Sequence, residues 1–182
     1  STNTMSLFSS KNLAGTNELW HLDLYPSGSS NPSKAKLRFR VSSQTGGSNA
    51  SGIVTSSLFV DTDFFDMQQD KLINISVQKS SSNQDINDTH TYEILFGKSN
   101  KTGFEFVSSS KFTIDGDSEP AGNQNFISGA SGNNLFICSD FTGSVSQIKS
   151  WSTPLSMKTF KQHVLNKRSI VGNNITASTN EL

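Results

Sequence analysis

The sequence has little charge and almost no cysteine. Only 16% of its 182 residues are Asp, Glu, Lys or Arg, and 15 basic residues balance 15 acidic ones, whereas an average soluble domain is about 25% charged. Without an excess of positive charge there is no field to attract a polyanion, so nucleic acid is not expected as a partner. Cys138 is the single cysteine, which excludes an internal disulfide. We expect it to be a small buried strand residue.

Long hydrophobic runs are also absent. No stretch of 18 apolar residues occurs, so we expect no membrane span, and no basic-then-apolar signal peptide is visible. Hydrophobic residues make up 32% of the chain, but 13 of them are Phe, which supply bulk for a core. The length fits one domain of roughly 100–200 residues. We predict a single domain over residues 1–172 and a polar tail or linker over 173–182.

Catalytic constellations are missing as well. The three histidines, His21, His90 and His163, are scattered, and their spacing is not typical of nucleophilic catalysis or of a zinc site. The paired carboxylates on one strand that many glycoside hydrolases use and the glycine-rich motifs that bind nucleotides do not occur. The sequence predicts that the protein is not an enzyme.

Strict alternation of apolar and polar residues predicts β-strands. The clearest case is 36–41, where residues 37, 39 and 41 would face a core and three basic residues would face water. The pattern recurs at 73–77 and 92–96. Further strands are predicted at 18–25, 52–60, 104–107, 111–114, 135–138 and 143–151. Short strands separated by Gly, Pro, Ser and Asn turns are typical of a two-sheet antiparallel sandwich.

One segment, near residues 156–166, predicts a short C-terminal helix. Ser156 is a suitable N-cap, because its hydroxyl can accept a hydrogen bond from a free backbone N–H. Leu155 and Phe160 have the spacing of a hydrophobic staple. Phe160 and Val164 continue the same apolar stripe by one helical turn.

The segment before this helix has a distinctive spacing. An aromatic residue, a turn glycine, two apolar residues and a second aromatic residue precede a Leu-Ser helix start, and these are Phe141, Gly143, Val145, Ile148, Trp151, Leu155 and Ser156. The spacing resembles the closing segment of concanavalin A-like, laminin-G and pentraxin domains. The hairpin dipeptide Asp115-Gly116 is similar to one in that family. Residues 160–173 resemble the ends of laminin-G-like modules in large phage and virus structural proteins.

The resemblance implies an all-β fold, a two-sheet antiparallel jelly-roll sandwich of the concanavalin A type. It also implies a non-catalytic recognition or adhesion module that binds a glycan or a protein through loops at the sandwich rim. Such a module would belong to a larger assembly or homo-oligomer in an extracellular location or on a virion surface. A purely structural virion subunit, such as a phage tail, fibre or capsid decoration, is the alternative.

Calcium is the cofactor that the resemblance implies, because relatives bind it through Asp and Asn oxygens on rim loops. Asp61 and Asp63 offer carboxylates in one stretch, and Asp115 and Asp117 flank a turn in another. Aspartate is also an ordinary turn former, so a structural role for these residues stays open.

Two adjacent aromatic residues break the alternation beside the first acidic stretch. These are Phe64 and Phe65, and Asp66 follows them. An exposed ring can stack on a sugar while a carboxylate binds its hydroxyls. The three residues are therefore our candidates for ligand binding, with simple packing under a loop as the alternative.

Overall fold

The fold is described from a computed structural model, in residues 4–11, 18–28, 33–41, 59–67, 72–81, 89–100, 103–115, 134–151 and 153–166. The predicted tail at 173–182 and Asp117 lie outside these residues. Nine strands and one helix are described: β1 (Met5–Lys11), β2 (Glu18–Pro26), β3 (Lys34–Val41), β4 (Phe59–Asp61), β5 (Phe65–Asp66), β6 (Ile73–Ser81), β7 (Thr89–Asn100), β8 (Gly103–Asp115), β9 (Asn134–Ile137) and α1 (Met157–Leu165).

The strands form two sheets in which every described pair is antiparallel. The large sheet has the order β4-β3-β2-β1-β9, with β5 also pairing β3, and the small sheet has the order β6-β7-β8. The predicted antiparallel two-sheet character and the single short helix are confirmed. No helix in the described ranges is long and apolar enough to cross a membrane.

The two sheets pack face to face through aromatic side chains. Burial alternates along β3 as predicted, so that Phe39 is fully buried and the basic residues on either side of it are half-buried. The Phe39 ring lies 5.6 Å from the Tyr92 ring of β7, and the Phe65 and Phe96 rings stack at 4.3 Å. One apolar core therefore joins both sheets, as in a β-sandwich.

The central strand of the small sheet, β7, is buried on both of its faces. Its alternation predicts a strand with Leu95 directed to water, but Leu95 is only 1% exposed. Phe160 and Val164 of α1 cover it in a second apolar cluster. The strand prediction is thus confirmed and the half-buried character is wrong, because the helix lies on the face that the pattern assigned to solvent.

The helix begins where the sequence predicts. Ser156 is its N-cap and accepts a hydrogen bond from the backbone N–H of Thr159 at 3.1 Å. Gln78 of β6 holds the residue before the cap, because its side-chain amide accepts from the Leu155 N–H at 2.8 Å and donates to the Leu155 carbonyl at 3.1 Å. This pair of hydrogen bonds fixes the start of α1 over the small sheet.

The strand predicted at 143–151 is wrong. These residues have no strand conformation, and Val145 and Ile148 are 45% and 52% exposed. The two apolar residues are three positions apart, which would place them on opposite faces of a strand. Trp151 is half-buried, and its ring lies 4.8 Å from the ring of His163 in α1.

Three smaller predictions also need correction. The strands predicted at 104–107 and 111–114 form the single strand β8, because the serines between them continue the pairing with β7. Of the strand predicted at 52–60, the described part is the short β4. Cys138 follows β9, is half-buried and has a φ of 53°; it is therefore not the buried strand residue that its apolar neighbours indicate.

The contact between Gly97 and α1 generates a stability prediction. A Cβ atom on Gly97 would lie 2.6 Å from Val164 Cγ2 and 3.2 Å from Phe160 Cε1, so Gly97→Ala should destabilise the fold by about 1–3 kcal/mol through overpacking. Val164→Ala should also destabilise the fold, because it leaves a cavity. In the double variant the two changes should partly compensate, and urea unfolding of all four proteins measures the coupling. If the losses of unfolding free energy simply added in the double variant, the close contact between Gly97 and Val164 would be contradicted.

Candidate functional site

The predicted ligand-binding residues lie at the interrupted edge of the large sheet, which we call the β4–β5 corner (Asp61–Asp66). Both short strands pair with β3. Between them, Thr62 donates its backbone N–H to the Leu37 carbonyl at 2.9 Å, and its hydroxyl accepts from the Leu37 N–H at 3.0 Å. The Thr62 hydroxyl thus takes the place of a backbone carbonyl as hydrogen-bond acceptor. At Asp63 and Phe64 the chain therefore departs from the strand pairing with β3. Such irregularities often redirect side chains at binding sites.

The structure separates the two adjacent phenylalanines. Phe65 pairs with Ala35 on the inner face, and its side chain is buried against Phe96. Phe64 is 51% exposed, and the Lys36 ammonium lies 5.5 Å from its ring centroid. Packing therefore accounts for Phe65, whereas Phe64 presents its ring to solvent.

Lys98 of β7 contacts the β4–β5 corner from the side of the small sheet. Its side chain is buried, and its ammonium group donates a hydrogen bond to the backbone carbonyl of Asp66. The same ammonium lies 5.5 Å from the Phe65 ring centroid. Burial of a charge is costly unless it is hydrogen-bonded, so this contact ties the corner to the small sheet. The side chain of Asp66 remains exposed beside Phe64.

Asp61 is held by two cations from the outer face of β3. Lys36 Nζ donates to Asp61 Oδ2 at 2.6 Å, and Arg38 donates from Nε to Oδ1 at 2.7 Å and from Nη2 to Oδ2 at 2.8 Å. The Arg38 guanidinium also lies 3.9 Å from the Phe59 ring centroid and 4.9 Å from that of Tyr25. The bidentate geometry and the flanking rings orient the arginine.

This network shifts the ionisation of both partners. Burial alone would raise the pKa of Asp61, but hydrogen bonds from Arg38 and Lys36, with their charges, lower it below its usual value. The hydrogen bond to Asp61 raises the pKa of Arg38 despite its partial burial. Asp61 and Arg38 are therefore both charged at neutral pH, and their charges neutralise each other in part.

The candidate calcium ligands that the structure describes lie in two places, with Asp61 and Asp63 at the β4–β5 corner and Asp115 at the end of β8. Both carboxylate oxygens of Asp61 accept hydrogen bonds from cations, which a metal ion would have to displace. Asp115 pairs with Thr89 at the start of β7, whereas Asp66 contacts Lys98 near its end, roughly 30 Å further along the strand. In the part of the chain that the structure describes, no group of three or more His, Cys, Asp or Glu side chains could hold a metal ion.

Sequence reasoning missed the residues that shape the corner. The alternation along 36–41 assigns Lys36 and Arg38 to a solvated face, and their pairing with Asp61 follows only from the register of β3 and β4. Thr62 and Lys98 carry no signal in the sequence, because a threonine between aspartates and a lysine after a glycine are ordinary in loops and strand ends.

Comparison with known proteins gives no match: no family model, no curated protein and no solved structure matches the chain.

The pKa of Asp61 generates a prediction about acid stability. Because the folded-state pKa is lower than the usual aspartate value of 3.8, the ionised carboxylate stabilises the fold above that value and loses its contribution as the pH falls through the folded-state pKa. Asp61→Asn should therefore lower the free energy of unfolding by about 1 kcal/mol at pH 7, and the difference should shrink below about pH 4.

Urea unfolding of both proteins between pH 7 and pH 2.5 measures this difference. Asp140→Asn, which changes an exposed carboxylate, is the matched control and should behave like the wild type. A deficit that stays constant down to the lowest pH would contradict the assigned role of Asp61.

Proposed function

We propose that the protein is a non-catalytic recognition module that binds a glycan at the β4–β5 corner. The observation that carries the proposal is the ring of Phe64, which is 51% exposed on a segment that leaves the sheet between two anchored points. The neighbouring Asp63 and Asp66 are exposed as well. An aromatic face beside hydrogen-bonding groups is the combination that a sugar ring requires.

The chemistry of the corner fits an uncharged, hydroxyl-rich ligand. The apolar face of a pyranose can stack on Phe64, and the carboxylates of Asp63 and Asp66 can accept hydrogen bonds from its hydroxyls. Lys36 and Arg38 pair with Asp61, which leaves one net positive charge, and the exposed carboxylates of Asp63 and Asp66 at the same corner would repel an anionic ligand. A neutral sugar is therefore favoured over a sulfated or acidic one.

Hydrogen bonds within the protein also hold the backbone of the corner in place without a ligand. Thr62 and Leu37 exchange two hydrogen bonds at one end, and Lys98 holds the Asp66 carbonyl at the other. A site that is fixed in advance loses less conformational entropy on binding. A protein partner could use the same exposed ring, and its binding is the alternative outcome when glycans are tested.

The finer fold assignment belongs to the same proposal. The antiparallel sheets and the Leu155–Ser156 helix start support a concanavalin A-like jelly roll, in which rim loops carry recognition on a rigid scaffold. An extracellular or virion-surface location would give such a module access to glycans. Fold likeness does not set function, and the proposal therefore depends on the corner itself.

A purely structural role in a virion is the second candidate. Exposed apolar residues on β9, at the opposite edge of the large sheet from the corner, favour it. Both roles can coexist in one protein, since the two surfaces are separate.

Phe64→Ala should weaken glycan binding by about 5- to 30-fold, because it removes the stacking platform, which is worth on the order of 1–2 kcal/mol. A glycan array with the wild-type protein identifies a ligand, and calorimetric titration then compares the variant. Phe136→Ala is the matched control, since it removes another exposed phenylalanine at the opposite sheet edge. Equal affinity in Phe64→Ala, or no glycan bound by the wild type, would overturn the glycan proposal.

Calcium should leave the melting temperature unchanged within about 1 °C relative to chelator, because a ligand stabilises a protein only through preferential binding to the folded state and Asp61 is held by Lys36 and Arg38. Differential scanning fluorimetry measures both conditions. A calcium-dependent rise would support a calcium site. Loss of that rise in Asp63→Asn would then place the ion at the corner.

A further inference from the structure

Lys36 lies beside the exposed ring of the β4–β5 corner. It shares the outer face of β3 with Arg38, because side chains two positions apart on a strand point the same way. Arg38 lies directly opposite Asp61 of β4. The Lys36 ammonium is 2.6 Å from Asp61 Oδ2 and 5.5 Å from the ring centroid of Phe64. One cationic group thus contacts both the ion-pair network and the proposed stacking surface.

The pairing of Asp61 does not depend on Lys36. Arg38 already donates to both carboxylate oxygens of Asp61, at 2.7 and 2.8 Å, and Lys36 adds a third hydrogen bond. An ammonium group has three N–H donors, and in the part of the chain that the structure describes the hydrogen bond to Asp61 is the one that Lys36 makes. Its side chain is 23% exposed. Two donors of Lys36 are therefore left for water or a ligand.

The other polar side chains around Phe64 are acceptors. Asp63 and Asp66 are exposed, and an ionised carboxylate accepts hydrogen bonds but cannot donate them. A sugar hydroxyl donates one hydrogen bond and also accepts, so two carboxylates satisfy only half of its hydrogen-bonding capacity. Lys36 supplies the donor that this set lacks.

The register brings this donor close to one of the acceptors. Asp66 of β5 lies directly opposite Lys34 of β3, which places its side chain on the outer face together with that of Lys36. Asp66 and Lys36 are thus diagonal neighbours, whose backbones are about 7–8 Å apart. Two side chains of this length can reach the same ligand hydroxyl across that distance.

The position of the ammonium also leaves room for a sugar on the ring. The Arg38 guanidinium lies 3.9 Å from the Phe59 centroid, which is the separation of atoms in direct contact. Lys36 lies 5.5 Å from the Phe64 centroid and so does not touch the centre of that ring, and Phe64 is 51% exposed. A sugar stacked on Phe64 would therefore have its edge beside the ammonium.

We propose that Lys36 determines the specificity of the glycan site, by donating a hydrogen bond to a sugar hydroxyl that itself donates to Asp66. This inference rests on the proposed glycan function and narrows its ligand class. The ligand is a neutral pyranose with an unsubstituted hydroxyl on the edge of the stacked ring that faces β3. Because Arg38 keeps Asp61 paired, Lys36 can bind this hydroxyl without leaving the carboxylate unpaired.

A cycle that removes the protein donor and the ligand hydroxyl separately tests the contact. The ligand is the glycan that binds the wild type on an array, and calorimetric titration compares it with its monodeoxy derivatives, each of which lacks one hydroxyl. Lys36→Met should weaken binding of the parent glycan about tenfold, because it removes a hydrogen bond from a charged donor. One derivative should bind the wild type about tenfold more weakly than the parent does, but should lose less than about threefold in Lys36→Met, since the two groups are coupled.

Two control variants separate this role from a general loss of charge or of structure. Lys158→Met removes an exposed lysine of α1 and should bind every ligand as the wild type does. Lys36→Arg keeps a charged donor and should retain most of the discrimination between the parent glycan and that derivative. The melting temperature of Lys36→Met should stay close to that of the wild type, because Arg38 still holds Asp61.

The same titrations distinguish failure of this inference from failure of the glycan function. If Lys36→Met binds the parent glycan as the wild type does, or if its loss simply adds to that of every derivative, the role of Lys36 is overturned. A loss of binding in Phe64→Ala would still support the glycan site in that case. If the wild type binds no glycan, both proposals are overturned together.

Discussion

Burial of β7 on both faces is the constraint on which the rest of the structure depends. Its inner side chains, Tyr92, Ile94 and Phe96, form the core with the large sheet, while Leu95 and Gly97 lie under α1. A strand in this position needs apolar residues on both sides and a site without a side chain where the helix comes closest. The helix in turn is held by Gln78 at its start. The strand therefore joins three layers, and neither sheet could be shifted without breaking one of these contacts.

The unequal width of the two sheets determines where exposed groups lie. The small sheet covers the β3, β4 and β5 side, and there Lys98 and Phe65 anchor the corner that exposes Phe64. On the opposite side the inner face of β9 has no opposing strand among the described residues, so Leu135 and Ile137 stay exposed. One edge thus provides a fixed polar and aromatic surface, and the other provides an apolar one.

Local patterns predicted the elements that depend on local chemistry. The alternation at 36–41 and the N-cap at Ser156 are each specified by a few neighbouring residues, and both are confirmed. The strand predicted at 143–151 is wrong, because Val145 and Ile148 are three positions apart and cannot share one face of a strand. The environment of Leu95 and the different positions of Phe64 and Phe65 depend on contacts far along the chain. Two successive residues on a strand always point to opposite faces, but pairing with Ala35 decides which of them is inside.

The same dependence on register explains why the basic residues of β3 are poor evidence for an anion-binding face. Read along the sequence, they form a positive stripe. In the sheet, Arg38 and Lys36 meet Asp61 across one edge, and Arg40 donates to Asp23 across the other at 3.0 Å. The cations thus pair with carboxylates of neighbouring strands, and the large sheet's outer face is held together by its own charges. What the corner leaves exposed is an aromatic ring with carboxylate acceptors, and the glycan proposal depends on this combination.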